Sequence, residues 1–430
     1  MAPAPRIPLR TFYWIAFTQT ISILGSTLAA LSIGIWIYAE TGDVSPFAII
    51  SAANILPSIL LGSHLGWIAD RFNRRLVMAF ADLGQALVTL LLLISFTSGA
   101  FQIWHLYLLA FVSATFRFLQ EPAFRAAITT LVPADHRTRA NAIMEMQNPL
   151  AGIIAPALAG ILYASIGVVG ALFADLASFS LAFLTLLWVR FPPQENNHQP
   201  GESIWHQAWA GWRFILASRL VFVVFSYFML ANFIIGGVLN VLIQPYFIAR
   251  TGSEESMGIL MSILNVGMIL GGFLISMYKG QPRMWVLSCG ICFICIGVML
   301  MGLAQAPLEL GLVLFIFGMP VTMINALSVS LWQAKVPLEL QGRFFAARMQ
   351  FSMLFLPLAY FLTGYFTDQW FEPAVNRAIW HIFAPFFGEN PGAGMGLYIF
   401  LSGLVAMLAT LPMLAFPKLR RFEQHIPEFN

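Results

Sequence analysis

The chain reads as long apolar runs separated by short polar gaps. A helix needs roughly 20 apolar residues to cross the hydrocarbon core of a bilayer. Twelve stretches reach that length, over 11–38, 46–69, 75–98, 103–130, 138–164, 167–190, 219–248, 255–278, 284–304, 307–331, 341–366 and 394–416. Backbone groups in lipid must be satisfied within the segment, so these runs predict helices. The two-residue alternation of a barrel strand is missing from them. The fold class expected is therefore an all-α integral membrane protein with twelve transmembrane helices.

The polar gaps set an orientation. Arg71, Arg74, Arg75, Arg137, Arg139, Arg190, Lys279, Arg283, Lys335, Arg343 and Lys418 all fall on one side. The opposite gaps hold only Arg250 and Arg377. Basic loops stay in the cytoplasm, so both termini are expected there, with the chain in the cell inner (cytoplasmic) membrane. Met1 to Arg10 lacks the layout of a secretory signal, and the first apolar run is read as a retained span.

The longest cytoplasmic gap divides the chain into 1–190, a linker at 191–218, and 219–430. The linker opens Phe191-Pro192-Pro193-Gln194, and Trp205, Trp209, Trp212 and Phe214 then recur among polar residues. An amphipathic helix at the membrane surface is expected there. The two halves echo each other. Val132-Pro133, Asp135, Arg139 and Ala142 in the first match Val336-Pro337, Glu339, Arg343 and Ala346 in the second. Repeated halves of this kind build many secondary transporters, so two pseudo-symmetric six-helix bundles are expected. On the outer side, Ala378 to Phe387 is rich in Trp, Ile and Phe and is expected as a short interfacial helix.

Composition agrees. Of 430 residues, 59% are hydrophobic and 10% charged, whereas a soluble domain carries about 25% charged residues. The net charge of +3 gives no reason to expect a nucleic-acid partner. Cys289, Cys292 and Cys295 form a drifting stripe on one helix with no His or acid beside them, which favours packing over a metal. No Gly-Lys-Ser/Thr phosphate loop is present, and no cofactor is expected.

The turn between the second and third runs carries the most chemistry. It reads Gly66-Trp67-Ile68-Ala69-Asp70-Arg71-Phe72-Asn73-Arg74-Arg75. Gly62 and Gly66 permit close helix approach, and Asn73 stands where a left-handed residue is expected. The segment resembles the loop signature of the major facilitator superfamily, Gly-x-x-x-Asp-Arg-x-Gly-Arg-Arg, with Asn73 in place of the second Gly. The likeness extends to Ile23-Leu24-Gly25-Ser26, Glu121-Pro122-Ala123, Asp175 with Ser178-Phe179, and Gln333-x-x-Val336-Pro337 through Gly342-Arg343. Together these are similar to the macrolide-efflux and enterobactin-exporter branch of drug:proton antiporters.

The resemblance implies a cytoplasmic latch built from Gly66, Asp70, Arg71, Arg74, Arg75, Gly342 and Arg343, with Asp70 facing a helix N-terminus. Gly152, Pro156 and Gly160 resemble the antiporter pattern Gly-Pro-x-x-Gly-Gly, and small residues there also suit plain helix packing.

Ionisable groups at membrane depth are costly, and each is a functional candidate. Arg117 and Glu121 lie one turn apart and are expected either to move a proton or to form a structural ion pair. Asp82, Glu145 and Asp175 are further coupling candidates, though Asp82 can also brace Arg74 and Arg75, and Asp175 can hold helices together. Gln147, Asn148, Asn232, Asn240, Gln244 and Asn325 are candidates to line a cavity, some serving only as bonds between helices. The reading is a secondary active transporter, not an enzyme. It exports an amphiphilic small molecule against a proton counter-ion, within membrane lipid. The alternatives are a lipid or lysophospholipid facilitator of the same fold and, further off, a membrane-embedded enzyme, for which no convergent catalytic cluster is present.

Overall fold

The computed structural model describes residues 9–133, 136–189, 191, 212–277 and 284–420. Among them there are helices and turns and no strand. Ten helices are long and apolar enough to cross a membrane. One of these, Arg139–Trp188, bends at Gly167 (φ 64°, ψ −171°) and holds two spans. With Ile103–Leu131 the described segments account for all twelve expected spans. They are numbered here in chain order.

Many large apolar side chains point outward, among them Trp14, Phe80, Phe173, Leu312 and Phe361. That much exposed apolar surface suits lipid rather than water. The chain is a multi-pass membrane protein.

Contacts divide the chain into two compact units. The first is Met1–Ala39 with Ala53–Gly201, and the second is Glu40–Ala52 with Glu202–Asn430. In the first unit, span three (Arg74–Thr97) packs on span four (Ile103–Leu131) and on the bent helix Arg137–Trp188. Phe12, Ile15, Met78, Phe124, Ala127, Met144 and Leu186 form its core.

Span three begins at Asn73, which has φ −58° and ψ 116° and accepts from the Arg75 N–H at 3.0 Å. Asn73 is therefore an N-cap and not the left-handed residue expected. An N-cap takes extended backbone, and its side-chain oxygen satisfies one of the free N–H groups of the first turn.

In the second unit, span eight (Glu254–Ser276) packs on span ten (Pro307–Lys335), and span nine (Met284–Leu303) packs on span twelve (Ala393–Ala415). Gly267 and Gly271 make the span-eight contact close. A Cβ at either would run into the backbone carbonyl of Phe315 or Met319. Span seven is irregular. The helix Arg219–Ala231 passes through a π-turn at Asn232–Gly236, continues as Gly237–Val241 and restarts as Ile243–Thr251. Pro245 explains the last break, because it has no N–H to give. Span eleven is likewise broken, Leu338–Met353 and then Leu356–Phe366, just before Pro357. The segment Glu40–Ala52 joins this unit. The Asp368 carboxylate accepts from the N–H groups of Val44 (2.8 Å) and Ser45 (2.7 Å) at the first turn of span two.

Two peripheral expectations change. Residues 203–211 of the amphipathic helix expected over 203–218, with Trp205 and Trp209, lie outside the described residues. Residues 212–217 are helical, the Trp212 ring lies tilted against Phe351, Phe214 meets Phe344 edge to face, and Trp212 donates to Gln350 Oε1 at 3.1 Å. This end of the segment is docked by its rings. The outer segment 378–387 is two short turns instead of one interfacial helix. Trp380 and Phe387 turn inward onto Ala393 and Leu397, leaving Ile379, Ile382 and Phe386 exposed.

Candidate functional site

The first unit buries a carboxylate among amides. Asp82 on span three is wholly buried. Its Oδ2 accepts from Gln19 Nε2 at 2.9 Å, and its Oδ1 accepts from Gln120 Nε2. Gln120 Nε2 also donates to Gln19 Oε1 at 2.8 Å, and Gln120 Oε1 accepts from Gln85 Nε2 at 2.9 Å. Spans one, three and four thus meet in one chain of amides ending on one carboxylate. Among the described residues no cation takes part. Asp82 does not brace Arg74 and Arg75, which the sequence left open; its partners are the glutamines.

Asp175, in the second half of the bent helix, is held differently. Ser26 Oγ donates to its Oδ1 at 2.9 Å and Thr89 Oγ1 to its Oδ2 at 2.8 Å. The segments 23–26 and 175–179, singled out separately in the sequence, therefore meet around one carboxylate.

Glu121 pairs with Arg125 at 3.2 Å, and Arg125 reaches on to Glu145 at 2.7 Å. The expected Arg117–Glu121 ion pair is not what forms. Arg117 instead sits 5.5 Å from the centre of the Phe118 ring. The order of residues explains the choice, since an acid placed four residues before a base aligns better than the reverse. Arg125 was overlooked in the sequence, although Glu121-x-x-x-Arg125 has the spacing that finds it.

The basic turn is anchored inside the first unit. Arg74 donates to the Ala126 carbonyl at 2.6 Å. Arg75 donates to the carbonyls of Leu186 and Leu187, both at 2.6 Å. These last two belong to the final turn of the helix ending at Trp188, where carbonyls lack helical partners and a cation is favoured. Arg71 is exposed. The side chains of Gly66, Asp70, Gly342 and Arg343 lie outside the described residues.

Of the expected cavity residues in this unit, Gln147 is buried and donates to the Ala16 carbonyl (2.9 Å) and Thr20 Oγ1 (3.0 Å), so it joins helices. Asn148 is exposed. Gly152 is half-buried, and Pro156 and Gly160 are buried.

The second unit contains a cavity of about 270 Å³. Its walls come from spans seven, nine, ten and eleven, with Phe225, Phe228, Ile291 and Ile324 as apolar lining. Asn232, Asn240 and Asn325, three of the candidate cavity residues, line it. Gln244 is not part of it, and its buried Oε1 has no partner among the described residues. The π-turn places Asn232 on the cavity wall, and such turns recur at functional sites.

The residue missed was Arg348. It lines the cavity beside Ser328 and Ser352. Its one hydrogen bond among the described residues is to Ser328 Oγ, at 3.0 Å. Its guanidinium lies 5.8 Å from the centre of the Phe345 ring. An arginine in a span costs about 3 kcal/mol on the insertion scale, and that rule applied to Arg348 would have found it.

Two compact units of apolar helices and a cavity that sets a few polar groups among apolar walls suit a membrane transporter. The Major Facilitator Superfamily profile matches residues 15–360, and the chain belongs to that superfamily. It is a multi-pass membrane transporter and not an enzyme. It is similar to macrolide efflux protein A of Streptococcus pyogenes, with 23% identity over 83% of this chain and 89% of that protein. A second similar protein is macrolide efflux protein A of Enterococcus faecalis, with 24% identity over 72% of this chain and 97% of that protein. Among solved structures, a bacterial homolog of the human lysosomal transporter Spinster superposes with TM-score 0.74 at 15% identity, over 96% of this chain and 97% of that one. The nucleoside transporter NupG does so with TM-score 0.70 at 13% identity, over 94% and 99%. These last two likenesses concern the fold.

Proposed function

We propose that the chain exports amphiphilic small molecules across the cytoplasmic membrane by alternating access, driven by proton entry, with both termini in the cytoplasm. The observation that carries the coupling is the Asp82 centre. A carboxylate ligated only by amides changes charge on taking up a proton, without first breaking an ion pair. Each of its oxygens faces an N–H donor, so the protonated form must turn at least one glutamine to find an acceptor. Proton uptake therefore rearranges contacts among spans one, three and four. Asp175 has hydroxyl partners, which donate or accept equally well, and protonation there demands less. The two efflux relatives support the direction and the cargo class.

The test is substrate movement in proteoliposomes under an imposed pH gradient. Wild type is expected to accumulate an amphiphilic dye against its gradient. Asp82→Asn is expected to lose accumulation while still exchanging dye across the membrane at equilibrium. Gradient-driven accumulation that survives in Asp82→Asn overturns the assignment to Asp82, and its survival in Asp175→Asn as well removes both buried carboxylates from the coupling.

A further inference from the structure

We infer that the cavity of the second unit recognises the anionic end of its ligand, a carboxylate or phosphate borne on an apolar body, through Arg348. The inference rests on the transporter reading above and narrows its cargo.

A guanidinium carries five N–H donors in a planar fork and stays charged. Arg348 gives one of them to Ser328 and has no carboxylate partner among the described residues. The remaining donors open on a cavity whose other polar groups are placed to help. Asn232 and Asn240 each give one amide N–H to Phe228 O (3.0 Å) and Gly236 O (2.8 Å) of their own helix and keep a second N–H donor. Asn325 and Ser352 make no hydrogen bond among the described residues. They supply N–H and O–H donors for the oxygens of an anion. An unneutralised cation at membrane depth is expected to meet an opposite charge when the site is filled. A fork of parallel donors matches carboxylate and phosphate geometry.

The same cavity offers apolar walls at Phe225, Phe228, Ile291 and Ile324, on which the apolar body of such a ligand can pack.

The experiment uses the purified full chain in a neutral, lipid-free maltoside micelle. Dansyl-undecanoic acid and its methyl ester are titrated by fluorescence, at a pH where the acid is ionised. Each ligand is compared between wild type and variant, which cancels its partition into detergent. Arg348→Gln is expected to weaken the acid by about tenfold or more, the scale of a charge-assisted hydrogen bond, and to leave the ester unchanged. Arg348→Lys, which keeps the charge and loses the fork, is expected to fall between. Competition by hexanoate as well as lysophosphatidic acid supports a freely soluble anion as the source. Competition by lysophosphatidic acid alone supports a lipid phosphate. If wild type binds acid and ester alike, or if Arg348→Gln and Arg348→Lys weaken both equally, the inference is wrong. The titration needs no gradient. Discrimination that persists while driven export fails sinks the export reading alone, and the converse sinks only the anion site.

Discussion

Gln19 and Asp82 are joined across spans one and three by a 2.9 Å hydrogen bond, with the amide as donor. The donor's own carbonyl is already occupied by Gln120. A neutral Asp82 therefore cannot be accommodated by a local turn of Gln19 without setting Gln19 Nε2 against Gln120 Nε2. The change has to pass along the amide chain toward Gln85. Asp82→Asn imposes the same conflict permanently. It is expected to destabilise the detergent-solubilised protein by about 1–3 kcal/mol, the cost of an unmet buried polar group, read as a lower Tm. Gln120→Leu in the same background is expected to recover part of that loss, because it removes the competing donor.

Arg75 holds the turn before span three to the end of the helix that finishes at Trp188. Bonds to charged donors contribute about 1.5–3 kcal/mol. Arg75→Ala is expected to lower thermal stability by that order. Arg75→Lys keeps the favourable charge near the helix end but not the two-carbonyl fork, and is expected to restore about half. Equal stability of all three proteins in a melting series contradicts the anchoring role.

Gly271 touches span ten through backbone. Gly271→Leu cannot be accommodated by a side-chain shift, since the obstacle is the Met319 carbonyl. Overpacking costs about 1–3 kcal/mol, and separation of spans eight and ten is expected to add a loss of transport. A cysteine pair placed across these two spans reads the separation as a lower cross-linking yield.

Gly167 tests backbone alone. Nothing lies within 4 Å of where its Cβ would be, so Gly167→Ala meets no neighbour. Its φ of 64° with ψ of −171° falls in a region open essentially only to glycine, and a side chain there costs about 1–3 kcal/mol. Thermal melting of Gly167→Ala at wild-type level removes this account.

The spans and the superfamily were legible, and Asp82, Asp175, Asn232, Asn240 and Asn325 stood out as candidates, because lipid penalises every departure from apolar composition. Rotation about each helix axis was not legible. A span apolar on nearly every side has no polar face to declare which residues turn inward. Gln147, which joins helices, was consequently grouped with Asn232, Asn240 and Asn325, which line a cavity. Arg348 escaped for a different reason. It stands seven residues into the run counted from 341 and was left out of the charges weighed at membrane depth. The broken helix at 354–355, which the Leu356-Pro357 pair alone announces weakly, belongs to the same span. Arg125 was passed over because the same one-turn spacing had already matched Glu121 to Arg117, and only the order of acid before base favours Arg125.

The corner at Gly167 also has a genetic consequence. Two membrane crossings are joined there by one residue with no loop to absorb an error. Glycine codons tolerate any third base, but every change at the first or second base writes a side chain or a stop. A single transition or transversion in that codon thus converts a free hairpin into a strained one, while neighbouring codons for Ile166 and Val168 drift among interchangeable apolar residues. In a deep mutational scan the corner would show as one intolerant position flanked by permissive ones, a signature of geometry with no chemistry behind it.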